Sequence, residues 1–268
     1  MNSKSEDYQG TPSFYNSREV FEKFLAHTSY YRSLQEAVGK LAFLISPETM
    51  LELGSGTGAT ACQLASRHPS TEIHAIDARD NMVIAGRELA RQMQLKNLHF
   101  TKADMLDYVA DHKMLPLFVY MLYVFHHIPD PDSHKVEFLK KCKEKIPPGG
   151  YLCIADVFIP DIRNETELES QLLRNWSARI MEAYSSVFWE SLSDITEDGV
   201  SFAQDAARYS MDYERECGDM VIHRNNEFMI STSWLVDRAR ETGFDVILNE
   251  PVNTVGDSVV LLQNTSGL

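Results

Sequence analysis

The chain has 268 residues, and its 25 Lys and Arg against 39 Asp and Glu give a formal net charge of −14. This length can bury a full hydrophobic core in one large α/β domain or in two small domains, and it excludes a disulfide-stapled miniprotein. Nonspecific nucleic-acid binding needs clustered Lys and Arg, so the negative charge argues against DNA and RNA as partners.

The cysteine pattern and the hydropathy of the chain predict a soluble cytoplasmic protein. The four cysteines (Cys62, Cys142, Cys153 and Cys217) form no CxxC pair and no spacing typical of zinc, so we expect no metal site. The polar start lacks the apolar run of a signal peptide, and no later stretch approaches the ~18 apolar residues of a membrane span. We therefore predict no association with a membrane.

Apolar residues recur at helical spacing within residues 1–46 and predict two helices there. They are Val20, Phe21, Phe24 and Leu25 in the first helix, and Leu34, Val38, Leu41, Leu44 and Ile45 in the second.

From Met50 onward short apolar runs alternate with helical segments, which is typical of βαβ units and a mostly parallel sheet. The predicted strands are Met50–Leu53, Glu72–Ile76, Leu98–Lys102, Leu117–Tyr123 and Tyr151–Val157.

Residues 161–231 interrupt this alternation with an acidic, aromatic-rich stretch that predicts a helical insertion. After the insertion, Ser233 is expected to cap a helix that runs through Thr242 and ends at Gly243. Two further strands are predicted at Phe244–Asn249 and Ser258–Gln263.

The sequence LELGSGTGAT from Leu51 to Thr60 is a strand that enters a glycine-rich turn and then a helix. Glycines let a ligand lie against bare backbone, and a helix N-terminus offers unpaired N–H groups to it. The next predicted strand leads into Asp77, 23 residues after Gly54, where a ribose hydroxyl pair would be expected. Both features occur in dinucleotide and adenosylmethionine sites, so these residues leave the two cofactors open.

Five motifs in order resemble class I S-adenosylmethionine-dependent methyltransferases of small molecules. The motifs are LELGSGTG (51–58), HAIDARDNM (74–82), KADM (102–105), VFHHIPDP (124–131) and IPPGGYLCIADVF (146–158). The resemblance implies an α/β fold with a Rossmann-like seven-stranded sheet in the order 3-2-1-4-5-7-6, its last strand antiparallel. Residues 47–160 and 232–268 would form this core, residues 1–46 a helical lid, and residues 161–231 a helical cap over the acceptor pocket.

The resemblance also implies the residues that hold the cofactor. The loop with Gly54 and Gly56 would bind the methionine part, supported by Glu52, and Asp77 would accept the ribose hydroxyls. The adenine would meet Ala78, Met82, Asp104 and the backbone N–H of Met105. Leu122, Tyr123 and His127 would lie beneath the sulfonium, and either Tyr15 or Tyr31 of the lid would close over it.

Methyl transfer from a sulfonium mainly requires alignment of the reacting atoms and exclusion of water, and some acceptors also need a general base. The catalytic candidates are His127, Asp156 and His223, although a structural role is open for each of them and for the neighbouring His126. Aromatic residues of the insertion, Trp176, Tyr184, Trp189 and Tyr209, are candidate acceptor contacts, with core packing as the alternative.

The sequence therefore predicts an enzyme that transfers a methyl group in line from S-adenosylmethionine to an O, N or C nucleophile of a small molecule. One alternative is a relative that binds the same cofactor but catalyses a rearrangement or cyclisation, because a fold does not fix its reaction. A non-catalytic binding subunit and an NAD-dependent dehydrogenase are further alternatives, and the latter gives the VFHHIPDP and PPGG motifs no role. Homodimerisation is left open.

Overall fold

The computed structural model describes residues 29–159, 161, 165–192, 196–222 and 228–267. The first predicted helix, Tyr15 and His223 lie outside the described residues. A seven-stranded sheet forms the centre of the described part, with helices packed on both faces.

The sheet contains β1 (Thr49–Leu53), β2 (Glu72–Asp77), β3 (Leu98–Lys102), β4 (Phe118–Leu122), β5 (Tyr151–Val157), β6 (Asp245–Pro251) and β7 (Asp257–Gln263). Their order is β3-β2-β1-β4-β5-β7-β6, and β7 runs antiparallel to both of its neighbours. The predicted fold class is confirmed.

Helices connect these strands. They are α1 (Ser29–Ile45), α2 (Ala59–Arg67), α3 (Asp80–Gln92), α4 (Met105–Asp111), α5 (Val136–Lys145), α6 (Glu165–Ser191), α7 (Glu197–Ile222) and α8 (Thr232–Glu241). A 3-10 turn, Phe125–His127, and a π-helical turn, Pro131–Lys135, join β4 to α5. None of the described helices combines the length and the apolar character needed to cross a membrane.

Alternate residues of the central strands point into two separate cores, as the period of a strand requires. Leu51 of β1 packs with the side of the sheet covered by α4, α5 and α8. Its neighbour Met50 packs with the side covered by α1, α2 and α3. Because both faces of the sheet are covered, the central parallel strands β4 and β5 consist almost entirely of buried apolar residues, which explains why they could be located from the sequence.

Several predicted boundaries differ from the structure by one or two residues, and two of these differences have clear local reasons. Strand β4 ends at Leu122 because Tyr123 has a φ of +53°, which a strand does not accommodate. Ser231, not Ser233, caps α8, and its Oγ accepts a hydrogen bond from the Trp234 N–H at 3.2 Å. Ser233 lies within the first turn of α8 and donates a hydrogen bond to Asp161 instead.

The predicted helical insertion consists, in its described residues, of α6 and α7, which pack along one another. Contacts of α6 with α1 bring the insertion and the second predicted helix of the N-terminal region together. The division of the chain into lid, core and cap stays a prediction.

Candidate functional site

The glycine-rich turn lies at the carboxyl edge of the sheet, directly after β1. Gly54, Gly56 and Gly58 have φ values of +72°, +53° and +78°, a backbone region that residues with a Cβ rarely adopt. The Ser55 N–H donates to the carbonyl of Ile76 at 2.8 Å, which fixes the turn against the end of β2. The turn therefore has a defined shape that depends on its glycines.

Close packing beneath the turn also requires these glycines. A Cβ on Gly54 would lie 2.6 Å from the Val124 side chain, and one on Gly58 would lie 2.4 Å from the Phe100 ring. Both distances are far below ordinary van der Waals contact. The backbone of the turn is thus held close to β3 and to the segment after β4.

Asp77 links the turn to the end of β2. Its Oδ2 accepts from the Gly56 N–H and its Oδ1 from the Arg79 N–H, each at 2.9 Å. The residue is 7% exposed. Since a carboxylate has about four acceptor positions, Asp77 retains capacity for the hydroxyls of a bound sugar.

Several buried polar atoms around the turn have no hydrogen-bond partner within the described part of the chain. They include Ser55 Oγ and Thr57 Oγ1 of the turn itself, whereas the nearby buried side chains of Glu52 and Tyr120 interact with each other. Native proteins pair nearly all such atoms, so a cluster of unpaired ones beside a glycine turn points to a polar ligand. These donors and acceptors fit the amino-acid end of S-adenosylmethionine.

Glu52 is only 2% exposed, and its environment opposes ionisation. Burial, with a smaller contribution from the charge of Asp77, raises the pKa of Glu52 to about 8. Much of the Glu52 population is therefore neutral near pH 7 while no cation lies beside it.

The residues predicted to surround the adenine follow β2 and β3. Ala78 is exposed and Met82 is buried on α3. Asp104 caps α4, because its Oδ1 accepts from the Leu106 N–H at 2.8 Å and from the Asp107 N–H at 3.2 Å. Met105 begins α4 and is half-buried. The Ala103 N–H donates to the Asp77 carbonyl at 3.0 Å, which brings this segment next to the end of β2.

The candidate acid Asp156 is paired with His126 and not with His127. His126 Nδ1 lies 2.6 Å from Asp156 Oδ1, and both side chains are buried. Burial opposes ionisation of Asp156, but its interactions with His126 and the Val157 N–H outweigh it and lower its pKa. His127 is exposed, with its ring centroid 4.1 Å from that of His126. A catalytic role for His127 stays a prediction.

A buried lysine holds the turn that carries both histidines. Lys135 is fully buried, and its Nζ donates to the carbonyls of Phe125 and Ile128 at 2.6 and 2.5 Å. These carbonyls flank His126 and His127 in the chain. Sequence analysis missed Lys135, because a lysine in the polar segment PDSHK carries no signal of burial.

Two tyrosines stack at the end of β4. The rings of Tyr31 and Tyr123 have centroids 5.5 Å apart and planes 17° apart. Tyr31, the cofactor candidate on α1, is half-buried and interacts with the Thr60 side chain. Leu122, the last residue of β4, is 5% exposed. The stacking therefore places Tyr31 of α1 beside the carboxyl end of β4.

The aromatic candidates of the insertion occupy different environments. Trp176 is 5% exposed, and its Nε1 has no hydrogen-bond partner among the described residues. Tyr184 is half-buried and stacks on Phe188, whereas Trp189 is 67% exposed. The side chain of Tyr209 lies outside the described residues. Of the four, only Trp176 is shown in contact with residues of the sheet edge, through the guanidinium of Arg179.

Comparisons with known proteins relate this chain to methyltransferases. Residues 50–150 match the family described as "Methyltransferase domain". An 8-hydroxyquercetin 8-O-methyltransferase of Mentha piperita is 30% identical over 123 residues, which cover 46% of this chain and 30% of the relative. The chain spans about a third of the length of the curated relatives it matches.

Solved structures share the fold. An O-methyltransferase family protein from Burkholderia thailandensis has a TM-score of 0.62 at 17% identity, covering 94% of this chain and 60% of that one. The [4+2]-cyclase SpnF has a TM-score of 0.51 at 14% identity, covering 82% and 62%.

The sheet order, the glycine turn and the family match together define a class I methyltransferase fold. Residues 50–150 are the part of the chain that matches the methyltransferase domain.

Proposed function

We propose that the protein is an S-adenosylmethionine-dependent methyltransferase that acts on a hydroxyl group of a small molecule. The observation that carries the proposal is the pair of buried, unpaired hydroxyls of Ser55 and Thr57 in the glycine turn, beside the buried Glu52 and the acid at the end of β2. The match of residues 50–150 to the methyltransferase domain supports it.

In this proposal each end of the cofactor has its own contacts. Gly54, Gly56 and Glu52 hold the amino-acid end, with the Glu52 carboxylate against the ammonium. Asp77 accepts the ribose hydroxyls. Ala78 and Met82 flank the adenine, and Asp104 and the Met105 N–H bind its edge. Leu122 and Tyr31 border the sulfonium, and Tyr15 stays a predicted alternative to Tyr31.

The bound sulfonium supplies an electrophilic methyl group with a neutral leaving group. The chain itself has to align the acceptor with that methyl and keep water out, because effective alignment can supply much of the rate enhancement. A metal ion is not part of the proposal, and the described residues contain no group of His, Cys, Asp and Glu suited to hold one.

We propose His126 as the general base, with Asp156 as the residue that orients it. When the His126 Nδ1–H donates to the Asp156 carboxylate, the basic lone pair of the neutral imidazole is on Nε2. The carboxylate also stabilises the imidazolium that forms as Nε2 takes the acceptor's hydroxyl proton. Asp156 thus keeps a catalytic contribution, acting through His126, while His127 and His223 remain the alternative bases predicted from sequence.

The names of the plant relatives support a phenolic acceptor, whereas a relative from Escherichia coli is a release factor glutamine methyltransferase. The Mentha piperita relative acts on 8-hydroxyquercetin, and one from Solanum habrochaites is a myricetin 7/4'-O-methyltransferase. The unpaired Trp176 Nε1–H would donate to an oxygen of such an acceptor. Contacts from Tyr184, Trp189 and Tyr209, a cytoplasmic location, homodimerisation and the absence of nucleic-acid binding stay predictions.

Calorimetric titration with S-adenosylmethionine and S-adenosylhomocysteine tests the cofactor site. We expect both to bind the wild type, and we expect Asp77→Ala to weaken both by about 10- to 100-fold because charge-assisted hydrogen bonds to the ribose are lost. Asp80→Ala, which removes an exposed acid at the start of α3, is the matched control and should leave binding unchanged. Binding of neither ligand to folded wild-type protein would contradict the proposal.

The reaction is tested by incubating the protein with methyl-labelled cofactor and either 8-hydroxyquercetin or myricetin. The mass of the product is then measured. We expect one added CH₂, and we expect His126→Gln to lower the rate by about 100-fold without changing the affinity for adenosylhomocysteine. His127→Gln is the control and should retain most of the rate, whereas the reverse pattern would make His127 the base. A product of unchanged mass would favour the rearrangement alternative.

A further inference from the structure

One buried carboxylate at the start of β7 gathers side chains from three other parts of the fold. Asp257 is fully buried and accepts from the Tyr123 hydroxyl at 2.5 Å, from Arg179 Nη1 at 2.5 Å and from Asn253 Nδ2 at 2.8 Å. Charge-assisted hydrogen bonds of this kind are the strong ones in a buried setting. Neither the sequence motifs nor the proposed reaction assigns a role to Asp257.

The partners of Asp257 come from elements that meet at the carboxyl edge of the sheet. Tyr123 follows β4, Arg179 is on α6 of the insertion, and Asn253 lies in the turn between β6 and β7. Asn253 Nδ2 also lies 3.2 Å from the Ser33 Oγ of α1. The carboxylate therefore connects the sheet with the insertion, and through Asn253 with the N-terminal region.

Arg179, which is 4% exposed, extends this network through its guanidinium. The guanidinium carbon lies 4.3 Å from the ring centroid of Tyr30 and 5.5 Å from those of Tyr123 and Trp176. These distances are typical of cation–π contacts. The charge of Arg179 is thus neutralised by Asp257 and surrounded by aromatic rings of α1, β4 and α6.

Tyr123 is held in a conformation that a non-glycine residue adopts only at a cost. Its φ is +53°, and such strain persists only where the surroundings fix it. Its N–H donates to the Ala155 carbonyl at 2.9 Å, its hydroxyl to Asp257, and its ring stacks on Tyr31. Three independent contacts therefore define where the Tyr123 ring lies.

The position of Tyr123 relates it to the glycine turn. In the register of β1 and β4, Leu53 pairs with Met121, so Tyr123 follows β4 at the level at which Gly54 and Ser55 leave β1. The side chain of the next residue, Val124, lies so close to Gly54 that a Cβ on Gly54 would clash with it. The Tyr123 backbone is thus beside the turn proposed to hold the methionine part of the cofactor. Its ring is linked to this region through Tyr31, on which it stacks and whose side chain interacts with Thr60 in the first turn of α2.

We propose that Asp257 is a positioning residue that holds the ring of Tyr123, stacked on Tyr31, against the sulfonium end of the cofactor site. This inference rests on the proposed function. An aromatic face favours a cation over a neutral group by an amount that grows as water is excluded. A correctly held ring therefore favours S-adenosylmethionine, which is a cation at sulfur, over S-adenosylhomocysteine, which is a neutral thioether.

The ratio of the two affinities, measured by calorimetry, is the readout, because a merely structural defect weakens both ligands alike. Tyr123→Phe keeps the ring but removes its link to Asp257, and Tyr123→Leu removes the ring. We expect Tyr123→Phe to weaken S-adenosylmethionine by about fivefold and adenosylhomocysteine by less than about twofold. Tyr123→Leu should change the ratio at least as much.

Tyr151→Phe is the matched control. The Tyr151 hydroxyl accepts from Gln263 Nε2 at 2.8 Å at the opposite edge of the same sheet. Its removal deletes a comparable hydrogen bond far from the turn. The affinity ratio of this variant should equal that of the wild type.

A double variant, Arg179→Met with Asp257→Leu, tests Asp257 itself. Removal of Asp257 alone would break a buried ion pair and could prevent folding, whereas replacing both of its members by apolar residues is often tolerated. We expect this variant to melt within a few degrees of the wild type and to show the reduced preference of Tyr123→Phe.

Two outcomes would overturn the positioning role. Equal weakening of both ligands in every variant would make the network structural only. An unchanged ratio in Tyr123→Phe and the double variant, with a changed ratio in Tyr123→Leu, would show that the ring acts without help from Asp257. Failure of the wild type to bind either ligand would instead contradict the proposed function.

Discussion

Replacing Glu52 with glutamine should make the ligand-free protein more stable at pH 8 and leave its stability nearly unchanged at pH 5. In the folded protein the Glu52 pKa is about 8, whereas the unfolded chain has the ordinary value of 4.5. The unfolded carboxyl therefore ionises first as the pH rises, and stability falls from about pH 5 until it levels off above pH 8. Glutamine cannot ionise, so the Glu52→Gln variant does not lose stability as the pH rises through this range.

The size of the effect follows from the two pKa values. Each pKa unit corresponds to about 1.4 kcal/mol, so the loss of folding stability caused by Glu52 approaches about 4 kcal/mol at pH 8. An increase of about 3 kcal/mol would raise the melting temperature by roughly 6 to 12 °C in a chain of this size. The increase is measured by thermal unfolding of the wild type and of Glu52→Gln at pH 5, 6.5 and 8, without cofactor.

Glu48→Gln provides the control for this experiment. Glu48 is an exposed carboxyl four residues earlier, and exposed charges contribute little because water screens them. Its unfolding curves should follow the wild type at every pH. Glu52→Gln curves that run parallel to the wild type from pH 5 to pH 8 would contradict burial of an ionisable carboxyl beneath the turn.

Gly58→Ala should destabilise the protein by about 4 kcal/mol, because two separate costs add. The φ of +78° costs a residue with a Cβ about 1 to 2 kcal/mol. The new methyl group would also lie 2.4 Å from the Phe100 ring and 3.2 Å from the Gly86 Cα, which forces the turn or β3 to move. Denaturant unfolding measures the loss.

Gly149→Ala separates these costs. Gly149 has a nearly identical φ of +82°, but nothing lies within 4 Å of the position that its Cβ would take. In this variant backbone strain is the only cost, so we expect the free energy of unfolding to fall by about 1 to 2 kcal/mol. Equal losses in the two variants would mean that the Phe100 contact is not a constraint on the turn.

The central strands β4 and β5 could be predicted because each is a short, buried apolar run, and such a run does not depend on which strand lies beside it. The end of β4 could not, since the positive φ of Tyr123 is imposed by its bonds to Ala155 and Asp257. The cap of α8 was misplaced by two residues because Ser231 and Ser233 are equally good capping types, and only the backbone angles of Ser231 distinguish them.

The sequence by itself indicated an alternating α/β fold, the glycine turn and the acid at the end of β2, because all three depend on residues that are neighbours along the chain. The order of the strands was implied only by the family resemblance. Only the tertiary structure showed that Asp156 pairs with His126, 30 residues away, and that Asp257 meets Tyr123 and Arg179 across 134 and 78 residues. Contacts over such separations are fixed by the order of the strands and the packing of the insertion. A single sequence contains no local pattern that records them.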